Sequence, residues 1–311
     1  MQAPAEAVVV ARGLVKRFGD FVAVDGIDLE IRRGEVFGFL GPNGAGKTST
    51  MRMIACMSPK TEGYLSVRGL DPEQDGSKIR AGLGVVPQED ALDGELTVLD
   101  NLVVYGRYFD IPRKESRRRA VQLLEFAQLS ERAKTKVEEL SGGMKRRLTL
   151  ARALISSPEI VILDEPTTGL DPQARHLVWE RLYRLKRDGV TLILTTHYMD
   201  EAEQLCDRLV VMDHGAIVAN GTPRSLIEEH VSKEVVELRL ADEQYAKLSA
   251  ELTGRVERME LLADRLCCYT DEGEELLEYV KALGYRPLSE LVRRASLEDV
   301  FLLLTGRSLV E

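Results

Sequence analysis

The residues whose types and spacing most clearly indicate a chemical function lie between positions 41 and 49. Gly41-Pro-Asn-Gly-Ala-Gly-Lys-Thr48 matches G-x-x-x-x-G-K-[ST] in full, directly after the apolar run VFGFL and before a helical stretch. In that context the loop N–H groups and the helix N-terminus hold phosphates, Lys47 reaches the β- and γ-phosphates, and Thr48 ligates Mg²⁺. A glycine-rich turn is the alternative, which the flanking strand and helix disfavour. The candidate nucleotide-binding residues in this loop are Gly41, Pro42, Asn43, Gly44, Ala45, Gly46, Lys47, Thr48 and Ser49.

Two carboxylates follow a second apolar run, IVILD. The run is typical of a buried strand and ends in Asp164, with Glu165 next. Beside a phosphate-binding loop, Asp164 fits a Mg²⁺ ligand and Glu165 fits the base that orients and activates an attacking water. A merely solvated Asp-Glu pair is the alternative. Together the two motifs predict binding and hydrolysis of ATP with Mg²⁺.

Apolar, β-branched runs alternate with helical patterns from Val8 to about Asn220. Most of these runs are too continuously apolar for half-exposed strands, which predicts an α/β fold with a sheet covered by helices. Residues 96–153 differ, because they contain amphipathic helical stretches and no convincing strand. The predicted strands are VVVA, IDLEI, VFGFL, LGVVP, IVILD, TLILTT and LVVMD, with AIVAN as the hairpin partner of the last.

A smaller unit begins after GTPRSLIEEH, and we predict a domain boundary near His230. EVVELRL and VERMELL are typical of strands, and EELLEYVKALG of a helix that ends at Gly284. The last helix, LEDVFLLLTG, follows Ser296 with Asp299 three residues on, which is close to a capping box. No catalytic cluster is recognisable in this tail, so we expect a binding or dimer-supporting role.

Composition limits the class of protein. The 311 residues support roughly two domains of about 150 residues. No apolar run approaches the ~18 residues of a membrane span, and the first residues do not resemble a signal peptide, so we expect a cytoplasmic chain unless a partner holds it at a membrane. A net charge of −9 argues against a general nucleic-acid grip. The four cysteines show no metal-ligand spacing.

Between the two motifs stands LSGGMKRR, and DEPTTGLD begins at Asp164. With them the chain closely resembles the ABC ATPases over about residues 8–225. The resemblance implies a P-loop NTPase cassette with a RecA-like core, an antiparallel β subdomain and a helical subdomain at about 96–153, plus a small C-terminal α+β domain. The predicted domains are residues 1–230, the nucleotide-binding domain, and 231–311, an accessory or dimerisation domain.

The resemblance also implies a site shared between two chains. Ser141, Gly142 and Gly143 head a helix whose N-terminus meets the γ-phosphate held by the other subunit, so ATP lies between two copies and hydrolysis requires both. Met144 departs from the glutamine usual at the fifth position of this motif. The polar contact of that glutamine is therefore not carried over.

Four further residues match positions of the family. Gln88, in VVPQED, matches the residue that touches Mg²⁺ and water and passes the signal to the membrane subunit. Asp171, in TGLD, matches a contact across the dimer, and His197, in TLILTTH, matches the switch histidine at the γ-phosphate. Phe18, in VKRFGD, matches the aromatic ring that stacks on adenine, with a core phenylalanine as the alternative.

The tail, especially SLEDVFLLLTGR, resembles the extension of daunorubicin-resistance-type exporter ATPases, whose permease is a separate polypeptide. This resemblance implies multidrug efflux through a permease present in two copies, which holds this chain at the cytoplasmic face of the membrane. Importers and lipid or polysaccharide exporters stay open as alternatives. So do a soluble non-transport ABC ATPase and a nucleotide switch without turnover, which Glu165 and His197 argue against.

The basic run RKESRRR, residues 113–119, is a separate feature. It is typical of a solvated helix face, and contact with anionic lipid headgroups is the alternative.

Overall fold

The computed structural model describes residues 6–306. The chain divides into two compact units, Met1–Asn220 and Gly221–Glu311. The division precedes the boundary predicted near His230, because the helix Pro223–His230 packs against Leu297–Thr305, in the second unit. The extent of each domain in function stays a prediction.

The strands of the first unit are β1 (Ala7–Phe18), β2 (Phe21–Arg32), β3 (Val36–Leu40), β4 (Glu62–Val67), β5 (Leu83–Val86), β6 (Ile160–Asp164), β7 (Thr191–Thr196), β8 (Arg208–Asp213) and β9 (Ala216–Gly221). Its helices are α1 (Lys47–Ile54), α2 (Gly76–Ala81), α3 (Val98–Arg107), α4 (Arg113–Phe126), α5 (Gly142–Ala153), α6 (Pro172–Arg187) and α7 (Met199–Leu205), with two 3₁₀ turns, Ser130–Arg132 and Val137–Glu139. The strand β4 was not predicted, because Glu62–Tyr64 is exposed and only its last three residues are buried.

The central sheet has the order β5-β6-β7-β3-β8-β9. The pairs β5–β6, β6–β7, β3–β7 and β3–β8 are parallel, and every residue of β3 and β7 is buried. Burial on both faces explains their continuously apolar sequences. Because parallel strands end at the same edge, the segments that follow β6, β7 and β3 meet there.

A second, antiparallel sheet has the order β2-β1-β4. Its inward residues, which include Val9 and Ile31, share a core with Phe37 of the central sheet and Ile54 of α1. This confirms the antiparallel β subdomain.

Helices α3, α4 and α5 form a separate packing group within residues 96–153. Their buried faces meet through Leu102, Leu124 and Leu148, and α3 packs most extensively on α4. The group confirms the helical subdomain of the fold.

The second unit contains α8 (Pro223–His230), β10 (Glu234–Arg239), α9 (Asp242–Leu252), β11 (Arg258–Leu261), β12 (Leu266–Thr270), α10 (Gly273–Ala282), β13 (Ser289–Arg294) and α11 (Leu297–Thr305). The strands form an antiparallel sheet in the order β11-β12-β10-β13. From β10 to β13 this is the β-α-β-β-α-β arrangement of ferredoxin-like folds, and it confirms an α+β domain.

Four elements of this unit were not predicted: α8, α9, β12 and β13. Tyr245, Leu248 and Leu252 lie at helical spacing and are buried, so α9 had a readable signal. The strand β13 carries only two apolar residues, Leu291 and Val292, and forms through its pairing with β10.

None of the helices between residues 6 and 306 combines the length and apolar character that a membrane span requires.

Candidate active site

The loop between β3 and α1 has no room for side chains at two of its glycines. A Cβ at Gly41 would lie 2.3 Å from the Met212 carbonyl oxygen, and one at Gly46 would lie 2.4 Å from that of Ala23. Gly46 also adopts a φ of 99°, in the left-handed region that favours glycine. One side of the loop therefore packs closely against the main chain at Met212 and Ala23, at the edge of the sheet where β3 ends.

Lys47 is buried, with 5% of its surface exposed. Its Nζ donates to the carbonyl oxygens of Gly41, at 2.7 Å, and Pro42, at 2.9 Å. Burial lowers the pKa of Lys47, while Glu165 and Asp164 act in the opposite direction. The ammonium group thus lacks a hydrogen-bonded carboxylate, and it gains an ionic partner when an anion enters the loop.

Thr48 faces Asp164 across the strand edge. Thr48 Oγ1 lies 3.3 Å from Asp164 Oδ1, which also accepts a 2.6 Å hydrogen bond from the Thr195 hydroxyl. Thr195 Oγ1 in turn accepts from the Glu165 N–H at 3.0 Å. Thr195, at the end of β7, therefore aligns Asp164, the last residue of β6, and Glu165, which follows it.

The Glu165 carboxylate is 9% exposed and has different surroundings at its two oxygens. Oε2 accepts from Gln88 Nε2 at 3.2 Å and from the Thr168 hydroxyl at 3.1 Å. Oε1 lies 3.2 Å from His197 Nδ1, without hydrogen-bond geometry. The backbone of Glu165 has a φ of 47°, which is uncommon for a residue with a side chain and turns it out of the strand direction.

Three further predicted residues interact with partners close to them in the sequence. Ser141 caps α5 and accepts from the Met144 N–H at 3.4 Å, and Asp171 caps α6 and accepts from the Ala174 N–H at 2.9 Å. Phe18, at the end of β1, is 54% exposed, with Lys16 Nζ 4.7 Å from its ring centroid.

The structure therefore brings some predicted residues together and leaves others apart. Within residues 6–306, hydrogen bonds and short contacts join Thr48, Gln88, Asp164, Glu165 and His197. In the same range no hydrogen bond joins the segment Ser141–Gly143 to the loop 41–48.

Sequence reasoning missed three residues that contact this cluster: Thr168, Thr195 and Arg146. The two threonines had a signal, because each lies at the end of, or shortly after, a strand predicted to reach the same edge. Arg146 had none, because the second of three consecutive cations in LSGGMKRR does not indicate where its side chain points.

The donor set fits Mg²⁺ beside a triphosphate. A threonine hydroxyl and a carboxylate are oxygen ligands, which Mg²⁺ prefers, and in such sites substrate phosphates and water complete its coordination. Within the described range no cluster of three His, Cys, Asp or Glu side chains could hold a metal ion, and this type of site does not require one.

Two family models match the chain. The first, described as ABC transporter, covers residues 24–168. The second, described as the C-terminal domain of the nodulation factor export protein NodI, covers residues 244–306.

Full-length relatives decide the family. The Nod factor export ATP-binding protein I of Rhizobium sp. (strain N33) is 49% identical over 96% of this chain and 96% of its own length. The protein of the same name in Burkholderia thailandensis is 48% identical over 94% of this chain and 95% of its own length. The chain is an ABC transporter ATP-binding protein. Within that family it belongs with the ATP-hydrolysing subunits of exporters.

Solved ABC cassettes share the fold. A post-hydrolysis dimeric cassette bound to ADP and Pi matches with a TM-score of 0.63 at 28% identity, over 69% of this chain and 98% of that one. The cbiO1 protein of Clostridium perfringens matches with a TM-score of 0.67 at 28% identity, over 72% of this chain and 92% of that one. This confirms the P-loop cassette fold.

As a member of this family, the ATP-binding protein binds and hydrolyses ATP with Mg²⁺. Cassettes of the family form dimers and work with a membrane permease. The narrower expectation of a daunorubicin-resistance-type exporter is not confirmed, because the relatives named above are Nod factor export proteins.

Proposed function

We propose that Glu165 is the base for ATP hydrolysis and that its Oε1 accepts one proton from the attacking water. Gln88 and Thr168 both donate to Oε2, which leaves Oε1 to accept a proton from the attacking water. His197 Nδ1 lies 3.2 Å from Oε1, and in this proposal it contacts the γ-phosphate beside that water. This asymmetry of the Glu165 carboxylate is the observation that carries the proposal.

The remaining roles follow from position. Lys47 and the loop N–H groups bind the β- and γ-phosphates, and the exposed ring of Phe18 stacks on adenine. Thr48, Asp164 and Gln88 would hold Mg²⁺, which supplies charge neutralisation at the phosphates.

A second copy of the chain completes each site. Ser141 and Gly142 are exposed at the N-terminus of α5, and a helix N-terminus attracts an anion. We propose that this end, with Gly143, meets the γ-phosphate held by the other copy, and that Asp171 contacts that copy.

Mixed dimers test this arrangement. A Lys47→Ala chain and a Ser141→Arg chain, each nearly inactive alone, recover about one intact site when mixed, so ATPase activity returns in trans. A verified heterodimer without recovery contradicts two independent composite sites, and ATP-dependent dimerisation by light scattering then separates strict coupling of the sites from a wrong interface.

For the cargo we propose export of the Nod-factor class through a separate permease, with two permease copies and the cassettes at the cytoplasmic face. The support is the match to Nod factor export proteins over nearly the full chain, including the C-terminal unit. Drug efflux is the competing cargo assignment.

Proteoliposomes that contain this chain and its permease distinguish the two cargoes. ATP-dependent accumulation of a Nod factor, absent with Glu165→Gln, is the expected result. Accumulation of daunorubicin without transport of the Nod factor would overturn the cargo assignment and leave the ATPase assignment intact.

For the second unit we propose support of the dimer. A chain that ends at Asn220, where the first compact unit ends, is expected to bind ATP and to dimerise less well. Undiminished dimerisation by sedimentation would show that the unit has another task.

A further inference from the structure

Arg146 has an unusual set of partners for a residue of the signature helix. Arg146 is 5% exposed, and among the described residues its hydrogen bonds within 3.5 Å go to main-chain carbonyl oxygens. Nε donates to Pro166 at 2.7 Å, and Nη2 donates to Asp164 at 3.0 Å and to Glu165 at 2.9 Å.

The same side chain also reaches the segment after β5. Arg146 Nη1 donates to the carbonyl oxygens of Pro87, at 2.5 Å, and Gln88, at 3.3 Å. The nearest carboxylate contact is Asp90 Oδ1 at 3.8 Å. A single cation therefore joins three segments: α5, the loop at Gln88 and the loop at Glu165.

Burial of the Arg146 charge is unfavourable, so its hydrogen bonds to the carbonyl oxygens are needed to compensate for the lost hydration. Burial lowers the pKa of Arg146, and the acidic groups around it oppose that effect only in part. An arginine without a hydrogen-bonded carboxylate is retained in a buried position when its planar, five-donor group satisfies several carbonyls at once. Lysine or glutamine cannot reproduce that geometry.

The neighbouring Arg147 is a natural comparison. Its Nη1 donates to Ala127 at 2.8 Å and to Gln128 at 3.4 Å, both within the helical subdomain. Adjacent residues on one helix thus face different structures, and only Arg146 contacts the segments that carry Gln88 and Glu165.

We propose that Arg146 is a positioning residue that couples the signature helix to the hydrolytic centre, an inference that rests on the function proposed above for Glu165. The N-terminus of α5 responds to nucleotide on the other subunit. Because Arg146 holds the backbone on both sides of the Gln88–Glu165 hydrogen bond, a shift of α5 repositions that pair. Hydrolysis is then favoured only in the closed dimer.

Steady-state kinetics test the role with matched variants. For Arg146→Gln and Arg146→Lys we expect kcat to fall about 10- to 100-fold, the usual scale for a misplacement near 1 Å, while the Kd of ATP stays within about threefold. Arg147→Gln removes an equivalent group from the same helix and is expected to keep kcat within about threefold.

Fold integrity is followed separately through the fluorescence of Trp179, the sole tryptophan. If Arg146→Gln loses no more kcat than Arg147→Gln, the proposal is wrong. If Arg146→Gln does not fold, Arg146→Lys provides the same comparison.

A double-mutant cycle with Gln88→Ala separates coupling from general damage. If Arg146 acts through the loop of Gln88, the double variant loses about as much kcat as the worse single variant. Losses that multiply would overturn the coupling. Failure of the base assignment has another signature, normal turnover in Glu165→Gln, so the two proposals fail independently.

Discussion

Two buried ionic clusters in this protein have opposite electrostatic character. In the first unit, Lys47 donates to carbonyl oxygens and burial lowers its pKa. In the second unit, Arg293 donates to Asp299 at 2.7 and 2.9 Å and to Glu237 at 2.6 Å. The hydrogen bonds that Arg293 donates to Asp299 and Glu237 raise the pKa of Arg293 although burial opposes them.

The second cluster is saturated by its own members. Arg265 donates to the other oxygen of Glu237 at 2.7 Å. Asp299, 1% exposed, also accepts from the N–H and the hydroxyl of Ser296 and from Tyr269. Burial acts to raise the pKa of Asp299, but the bonds from Arg293 and Ser296 lower it. This cluster anchors the start of α11 to the sheet.

The difference in hydrogen-bond partners distinguishes a ligand-binding site from an ion pair that only stabilises the fold. A buried cation whose hydrogen-bond acceptors are neutral carbonyl groups can still gain an ion pair with an anionic ligand. A cation that is hydrogen-bonded to two carboxylates already has its counter-charges. Substitutions in each cluster should therefore alter different measurements.

The largest effect is expected from Glu165→Gln. Hydrolysis should fall about 10²- to 10⁴-fold, the usual contribution of a positioned base, with ATP binding retained. Phosphate release under single-turnover conditions measures the loss. Glu237→Gln makes the same chemical change in the saturated cluster and should keep hydrolysis near the wild-type rate. A loss of hydrolysis comparable to that of Glu165→Gln would contradict the assignment of the second cluster to stability alone.

The next effect is on stability, from Arg293→Met. Removal of the cation leaves Asp299 buried and unpaired, which costs about 3 kcal/mol, the lower end of the range for such pairs because Arg293 is partly exposed. Faster hydrogen exchange of residues 297–305 measures it. ATP affinity should not change, and a protected α11 in this variant would show that this ion pair is not what holds the helix.

Lys47→Met provides the converse. ATP affinity should fall about 10- to 100-fold, since a charge-assisted contact to phosphate is worth about 1.5–3 kcal/mol. The Tm of the ligand-free protein should stay constant or rise, because a charge without a carboxylate partner leaves the interior. Isothermal titration and calorimetry measure the two quantities, and a large drop in Tm would indicate that Lys47 is itself structural.

The smallest effect concerns Glu201, fully buried on α7, whose carboxylate accepts from Thr167 at 2.8 Å and Trp179 at 3.1 Å. Burial raises its pKa above the ordinary 4.5 although these bonds oppose it. With a raised pKa in the folded state, its contribution to stability is greatest at low pH and is lost as pH rises through that pKa.

Glu201→Gln keeps an acceptor oxygen and cannot ionise. Its Tm relative to the wild type should therefore increase as pH rises above about 4.5. Circular dichroism melts from pH 4 to 8 measure the trend, and a Tm difference that does not change with pH would place the ionisation of Glu201 outside that range.

The sequence alone determined the chemistry of the first unit. Each of the segments Gly41–Thr48, Ser141–Gly143 and Asp164–Glu165 is a short continuous stretch, and the role proposed for each depends on local geometry at a strand end or helix start. Continuous burial of the parallel strands likewise left a readable apolar pattern. Both are properties of neighbouring residues, so no knowledge of distant contacts was required.

Only the tertiary structure decided which side chains join these segments. Arg146, Thr195 and Thr168 act through partners brought close by sheet order and helix packing, and nothing in their own neighbourhoods specifies those partners. The same holds for the saturated cluster, where Arg293 of β13 contacts Glu237 of β10 diagonally across the strand pair. The physical reason is that a hydrogen bond depends on distances of about 3 Å between atoms, and sequence separation does not determine distances between remote residues.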